Sequence, residues 1–192
     1  PVRDKRILLP EQEMEKCMQQ EITRVALDAM GGDNAPGELV KGAVDAVNGR
    51  SDIKVLLVGQ QDVVEKELKQ YSYPKEQIEV VHAEEVIETA EPPVNAIRKK
   101  KQSSIVVGMN MVKQKEADAF VSSGSSGAIL VGGQVIVGRS KGVQRPPLAP
   151  LIPTEKGVSL LIDCGANVDA RPDHLVQFAK MGSIYMEDVV GI

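Results

Sequence analysis

ADAFVSSGSSGA, residues 117–128, opens as a short apolar run and closes as a Ser/Gly loop. The run 117–121 reads as a buried strand, and the loop leads directly into an apolar helical pattern over 129–137. Strand, glycine-bearing loop and helix in that order make the unit of an open α/β sheet, whose ligands bind at the carboxyl ends of its strands. Gly124 and Gly127 let the backbone approach a ligand closely, and the helix start offers unpaired N–H groups at its positive end. Ser122, Ser123, Ser125 and Ser126 add hydroxyl donors. The stretch reads as an anion cradle, and equally as a Ser-capped helix after a tight turn.

Upstream, the β-α-β pattern repeats. ITRVALD (22–28) reads as a strand, followed by the turn-rich AMGGDNAP and a helix over 36–47. Asp28 is expected at the carboxyl edge of the sheet, with Gly31 and Gly32 permitting a tight turn and Asp33 or Asn34 capping the next helix. Strand 53–58, helix 62–70 and strand 78–81 continue the alternation, which predicts a parallel sheet. His82, just past a strand end, reads first as a structural residue. The basic run RKKK (98–101) reads as a solvated face or as a contact for an acidic partner or phosphate, and 103–115 as a helix leading back to the Ser/Gly loop.

Downstream, GRSKGVQRPPLAPLIPTEKG (138–157) is too rich in Gly and Pro for regular helix. Residues 148–152 are expected as an irregular strand interrupted by Pro150 and Pro153. Arg139, Lys141 and Arg145 are placed to neutralise an anion, with Arg145 favoured because Pro146 and Pro147 stiffen the backbone that presents it. Residues 158–163 read as a further strand ending in Asp163, Gly165 and Asn167, a third strand end with a polar, Gly-containing loop. A long helix over 171–190 is expected to carry Leu175, Phe178, Ala179, Gly182 and Tyr185 near one face, where the small residues Ala179 and Gly182 suit close packing, as against a second subunit, with His174 structural. Cys164 reads as buried rather than nucleophilic.

At 192 residues, 42% of them apolar, the chain suits one α/β domain or one domain and part of a second. Its net charge of −4, its lack of Trp and its 3% aromatic content argue against a nucleic-acid partner. Two distant cysteines predict no structural disulfide and fit a reducing, cytosolic compartment. Residues 1–21 are charged, Gln-rich and unlike the rest, and read as an N-terminal extension, either helical or disordered. The chain has no P-loop, no dinucleotide fingerprint, no nucleophile elbow and no close Cys/His set, so no metal or cofactor is expected.

Four stretches together carry a resemblance. DAMGGDNAP (28–36), SSIVVGMNMVKQKEADAFVSSGSSGA (103–128), VGRSKGVQRPPLAP (137–150) and LLIDCGANVDARPDHLVQFAKMGSIYMEDV (160–189) closely resemble the PlsX-type bacterial phosphate acyltransferases, from about residue 22 onward. The resemblance implies a three-layer αβα fold with a mostly parallel sheet, like the isocitrate/isopropylmalate dehydrogenases and the phosphotransacetylases. It implies transfer of a fatty acyl group from acyl-acyl-carrier protein to inorganic phosphate, giving acyl phosphate, in a homodimer peripherally associated with the membrane. In that scheme Asp28, Asp163 and Asn167 position phosphate or accept its proton. Gly31, Gly32, Asp33, Ser122, Ser123, Gly124, Ser125, Ser126, Gly127, Arg145 and Gly165 line the phosphate and substrate site.

The chain departs from the family pattern in two ways. The family often carries Ala-Gly-Asn-Thr-Gly where this chain has Ser-Gly-Ser-Ser-Gly over 123–127, and its members run on for well over a hundred residues more. Residues 22–192 are accordingly expected as the N-terminal portion of an incomplete acyltransferase domain. The competing expectations are a non-catalytic fragment that only dimerises or binds acyl-carrier protein, and a phosphotransacetylase-type enzyme using acyl-coenzyme A.

Overall fold

The computed structural model describes residues 22–192, and the expected extension over 1–21 lies outside the described residues. Strands β1 (Thr23–Asp28), β2 (Ile53–Gly59), β3 (Ile78–His82) and β4 (Ala119–Val121) form a four-stranded parallel sheet in the order β3-β2-β1-β4. Leu27 of β1 pairs with Leu57 on one side and Val121 on the other. The carboxyl ends of β1 and β4, which carry the two Gly-containing loops, are therefore neighbours.

The near-continuous apolar run of β2 shows why the sheet is covered on both faces. Side chains alternate along a strand. Val55 and Leu57 pack with helices α1 (Gly37–Gly49) and α2 (Gln61–Leu68), whereas Leu56 and Val58 share a cluster with Met111 of the helix at Ser104–Lys113 and with Ala117. In α1 the buried residues Val40, Ala43, Val44 and Val47 follow the i, i+3, i+4, i+7 spacing of one helix face. Counting helix α3 (Pro93–Lys99) before it, the helix at Ser104–Lys113 is α4, and it carries Ser103 as its N-cap, whose hydroxyl oxygen accepts from the Val106 N–H. Together these layers make the expected αβα sandwich.

Helix α5 (Ser126–Gly132) continues through one π-helical turn, Gly133–Val137. It packs on α3 and α4 in a cluster of Ile87, Ala96, Ile97, Ile105, Val106, Met109 and Ala128. Close approach is needed here: a β-carbon on Gly132 would clash with Met109 Sδ, and one on Gly108 with the Phe120 ring.

The remainder differs from the sequence expectation. The runs expected as two further strand segments pair with each other: β5 (Leu151–Thr154) and β6 (Gly157–Leu160) form an antiparallel hairpin apart from the main sheet. Glu155 and Lys156 make its two-residue turn, followed by Gly157 at φ +137°. Pairing continues irregularly beyond β5 and β6, with Leu161 N–H donating to the Pro150 carbonyl and Cys164 N–H to that of Leu148. Cys164 itself is exposed, not buried.

Helix α6 (Pro172–Ile184), continued by a π-helical segment Tyr185–Val190, packs on this hairpin. Its buried residues are His174, Phe178 and Gly182, one helical row at i, i+4, i+8. A β-carbon on Gly182 would lie 3.2 Å from Leu160 Cδ2, so the small residue sets the contact. Leu175 and Tyr185, expected near the same face as Phe178 and Gly182, are 54% and 40% exposed. Val176 and Ile184 of α6 are exposed as well, at 57% and 59%.

Candidate functional site

Asp28 ends β1 and is only 1% exposed. A buried carboxylate needs partners on both oxygens. Oδ1 accepts from the Met30 N–H at 3.0 Å, and Oδ2 accepts from the Ser122 hydroxyl, just past β4, at 2.7 Å. Ser122 Oγ in turn accepts from the Gly124 N–H at 3.0 Å, and the Ser123 hydroxyl donates to the Gly31 carbonyl at 2.9 Å. Two of these four bonds, Ser122 to Asp28 and Ser123 to Gly31, cross between the loops, and the other two brace each loop at its own end. Gly31 fills the space between them, for a β-carbon there would lie 2.5 Å from Asp28 Oδ2 and 2.8 Å from the Gly124 nitrogen.

Above this knot lies an open pocket of about 480 Å³, lined by Gly32, Asp33, Asn34, Glu38, Leu39, Thr89, Ser123 and Gly124. Gly32, at φ +96°, turns the chain away from the knot, a conformation that favours glycine. Asp33 and Asn34 are exposed and do not cap α1: Pro36 holds the N-cap position without a side-chain bond, and Asn34 contributes only its backbone carbonyl, to the Glu38 N–H. Their side chains remain available to the pocket. Its lining contains two carboxylates and no basic side chain. Thr89 and Glu38 were not singled out by sequence pattern; the signal for Thr89 is that its segment leaves the carboxyl end of β3, at the same sheet edge.

The four loop serines divide by role. Ser122 and Ser123 bind the neighbouring loop, as above. Ser125 is the N-cap of α5, its buried hydroxyl oxygen accepting from the Ala128 N–H at 3.3 Å. Ser126 is exposed in the first turn of the helix, where it and Gly127 carry N–H groups that the helix itself leaves without acceptors. The close approaches at the glycines are internal: Gly124 lies against Gly31 and Asp28, and a β-carbon on Gly127 would lie 2.7 Å from Pro93 Cγ.

Asp163, Asn167, Gly165 and Arg145 form a second group, on the two segments that flank the hairpin. The Asp163 carboxylate accepts from the N–H groups of Leu148 (2.8 Å), Ala166 (3.3 Å) and Asn167 (2.6 Å) and from Asn167 Nδ2 (3.0 Å). Burial pushes its pKa up, but the donors from Leu148, Asn167 and Ala166 outweigh it and hold the carboxyl below the usual range. Asn167 also donates to the Pro146 carbonyl at 3.1 Å, and Gly165 takes φ +80°. Arg145 makes a bidentate ion pair with Asp169, at 2.6 and 3.2 Å, and this guanidinium lowers the Asp169 pKa. Among the described residues no hydrogen bond joins this group to the Asp28–Ser122 knot. The third polar strand end thus belongs to the hairpin, not to the parallel sheet.

The two histidines are structural. His174 is buried, its Nδ1 accepting from the Arg171 N–H, and His82 Nδ1 accepts from the Gln61 N–H at 3.4 Å. In the basic run, Lys100 binds Glu91 and the Val86 carbonyl, while Arg98 and Lys99 stay exposed. Among the described residues no group of three or more His, Cys, Asp or Glu is placed to hold a metal ion, and no helix is long and apolar enough to cross a membrane.

Comparison with known proteins agrees with this architecture. A phosphotransacetylase from Streptococcus pyogenes shares the fold, with a TM-score of 0.65 at 17% identity over 96% of this chain and 60% of that one. The phosphate acyltransferase of Alkaliphilus oremlandii is 52% identical over 169 residues, which are 88% of this chain and 50% of the relative. That of Clostridium beijerinckii is 50% identical over 88% of this chain and 51% of its own length. The chain therefore spans about half the length of these curated relatives. The family model described as fatty acid synthesis protein matches residues 23–192. With half-identical relatives along the same residues, the chain belongs to the fatty acid synthesis protein family, that of the phosphate acyltransferases.

Proposed function

We propose that this chain supplies the phosphate-binding part of a site that transfers a fatty acyl group from acyl-acyl-carrier protein to inorganic phosphate. One phosphate oxygen attacks the thioester carbonyl, a C–O bond forms, the C–S bond breaks, and acyl phosphate and the free carrier thiol leave. Phosphate is itself the nucleophile, so the protein's task is to orient a dianion beside a carbonyl and to stabilise the oxyanion that develops. The observation that supports this reading is the convergence of the β1 and β4 loops on one pocket beside the first turn of α5.

In this scheme the N–H groups of Ser126 and Gly127 and the Ser126 hydroxyl face the phosphate, with Gly32, Asp33, Ser123 and Gly124 as the pocket wall. Arg145 is the counter-charge, and Asp163 with Asn167 shapes the loop that presents it. Both Asp28 oxygens are engaged inside the fold, so Asp28 acts on phosphate through the loops it holds. Exposed Arg98 and Lys99 favour docking of an acidic carrier protein. A homodimer formed through the apolar face of α6, at the cytoplasmic side of a membrane, completes the reading.

The test is release of free thiol carrier from palmitoyl-acyl-carrier protein by the full-length protein that carries this segment, with and without phosphate. Phosphate-dependent release is expected, with no reaction of acetyl-coenzyme A. Turnover of acetyl-coenzyme A instead assigns the site to phosphotransacetylase chemistry, and no turnover with either donor leaves a non-catalytic scaffold.

A further inference from the structure

We infer that Ser122 is a positioning residue, whose hydroxyl sets the phosphate-binding geometry by relaying the Asp28 carboxylate to the backbone of the β4 loop. The inference rests on the proposed acyl transfer to phosphate for its kinetic reading, and on geometry alone for its structural one. A hydroxyl offers one donor and two acceptor positions. Ser122 donates to Asp28 Oδ2 at 2.7 Å and accepts from the Gly124 N–H at 3.0 Å, so it is engaged in both directions inside the protein.

Asp28 adds the other end of the chain, since its Oδ1 accepts from the Met30 N–H at 3.0 Å. The relay thus runs from the backbone after β1, through one carboxylate and one hydroxyl, to the backbone after β4. What it fixes is the separation of the two pocket walls. Gly31 sits in that separation with no space for a methyl group, while Gly32 and Asp33 on one side and Ser123 and Gly124 on the other line the pocket. A hydrogen bond accepted by a carboxylate is stronger than one between neutral groups, and Asp28, only 1% exposed, has little solvent contact to replace a lost donor. Removing the Ser122 hydroxyl orphans Asp28 Oδ2 and the Gly124 N–H together, so both walls lose their reference.

Substrate geometry is sensitive to displacements of this kind. In the full-length protein, Ser122→Ala is expected to raise the KM for phosphate by about tenfold while kcat changes by less than about threefold. Ser122→Thr, which keeps the hydroxyl, is expected to restore most of the affinity. Amide hydrogen exchange supplies a readout independent of activity: in Ser122→Ala, exchange should quicken at residues 30–33 and 123–124 and stay unchanged in α1 and β2, which shows that the fold persists. A loss of kcat with unchanged KM and unchanged exchange would overturn the inference, since it would put Ser122 on the reacting atoms. Should the wild-type protein show no phosphate-dependent turnover, the functional reading falls. Exchange then decides the positioning role alone: faster exchange at the two loops supports it, and unchanged exchange overturns it.

Discussion

Gly31 and Gly42 are both glycines near the start of the fold, and a β-carbon meets opposite surroundings at each. At Gly31 it would press on a buried carboxylate oxygen and on the Gly124 nitrogen; at Gly42, in the exposed middle of α1, nothing lies within 4 Å. Gly31→Ala is expected to lower stability by about 1–3 kcal/mol, as overpacking does when the neighbours cannot move. Gly42→Ala is expected to raise it by about 0.5–1 kcal/mol, by removing backbone freedom from the unfolded chain. Urea unfolding of both variants checks the pair, and shifts of the same sign count against this packing. The sequence marked Gly31 as a turn residue beside an acid, which was correct in place. It did not show that the glycine is required by the close approach of Gly124 in the β4 loop, because that contact depends on the pairing of β1 with β4.

At the level of elements, the helices and the parallel strands were legible because burial repeats along them with period 3.6 or as continuous apolar runs. The hairpin was not. Its strands carry the same short apolar runs as buried parallel strands, and its turn, Glu155-Lys156, lacks the Asn-Gly or Asp-Gly signal of a two-residue loop. Serine roles were half legible: the loop read as cradle or cap, and the structure uses Ser125 as the cap and leaves Ser126 exposed. The two readings now separate by experiment. Ser125→Ala is expected to cost about 1 kcal/mol of stability through the lost cap. Ser126→Ala is expected to leave stability within about 0.5 kcal/mol of wild type, as exposed substitutions do, and to raise the KM for phosphate. Denaturation midpoints with phosphate kinetics check both, and an unchanged KM in Ser126→Ala removes this hydroxyl from the phosphate site.

Across the whole molecule, the three core clusters draw on residues from Ala26 to Ile136, whereas the hairpin and α6 are held by polar anchors around Asp163 and by the row of His174, Phe178 and Gly182. This difference predicts where acid acts first. Asp163 has a folded pKa below its unfolded value of about 3.9, burial opposing and four hydrogen bonds outweighing it. The unfolded form therefore binds the proton more readily, so the stabilisation from Asp163 is fully present above about pH 4 and is lost as pH falls through the lower folded value. Asp169, lowered by Arg145, acts in the same direction on the same segment. Below about pH 4 the amides of Leu148, Ala166 and Asn167 are expected to lose protection before those of β1 and β2, whose cover is apolar. Asp163→Asn replaces the charged acceptor by a neutral amide, so it should show reduced protection of these amides already at pH 7 and a smaller further loss on acidification. Residue-resolved exchange at pH 7, 4 and 3 reads both effects. Loss of protection in the strands and in the 146–167 segment at one common pH, in wild type and variant alike, would mean that the carboxylate does not hold this segment and that the two regions unfold as one.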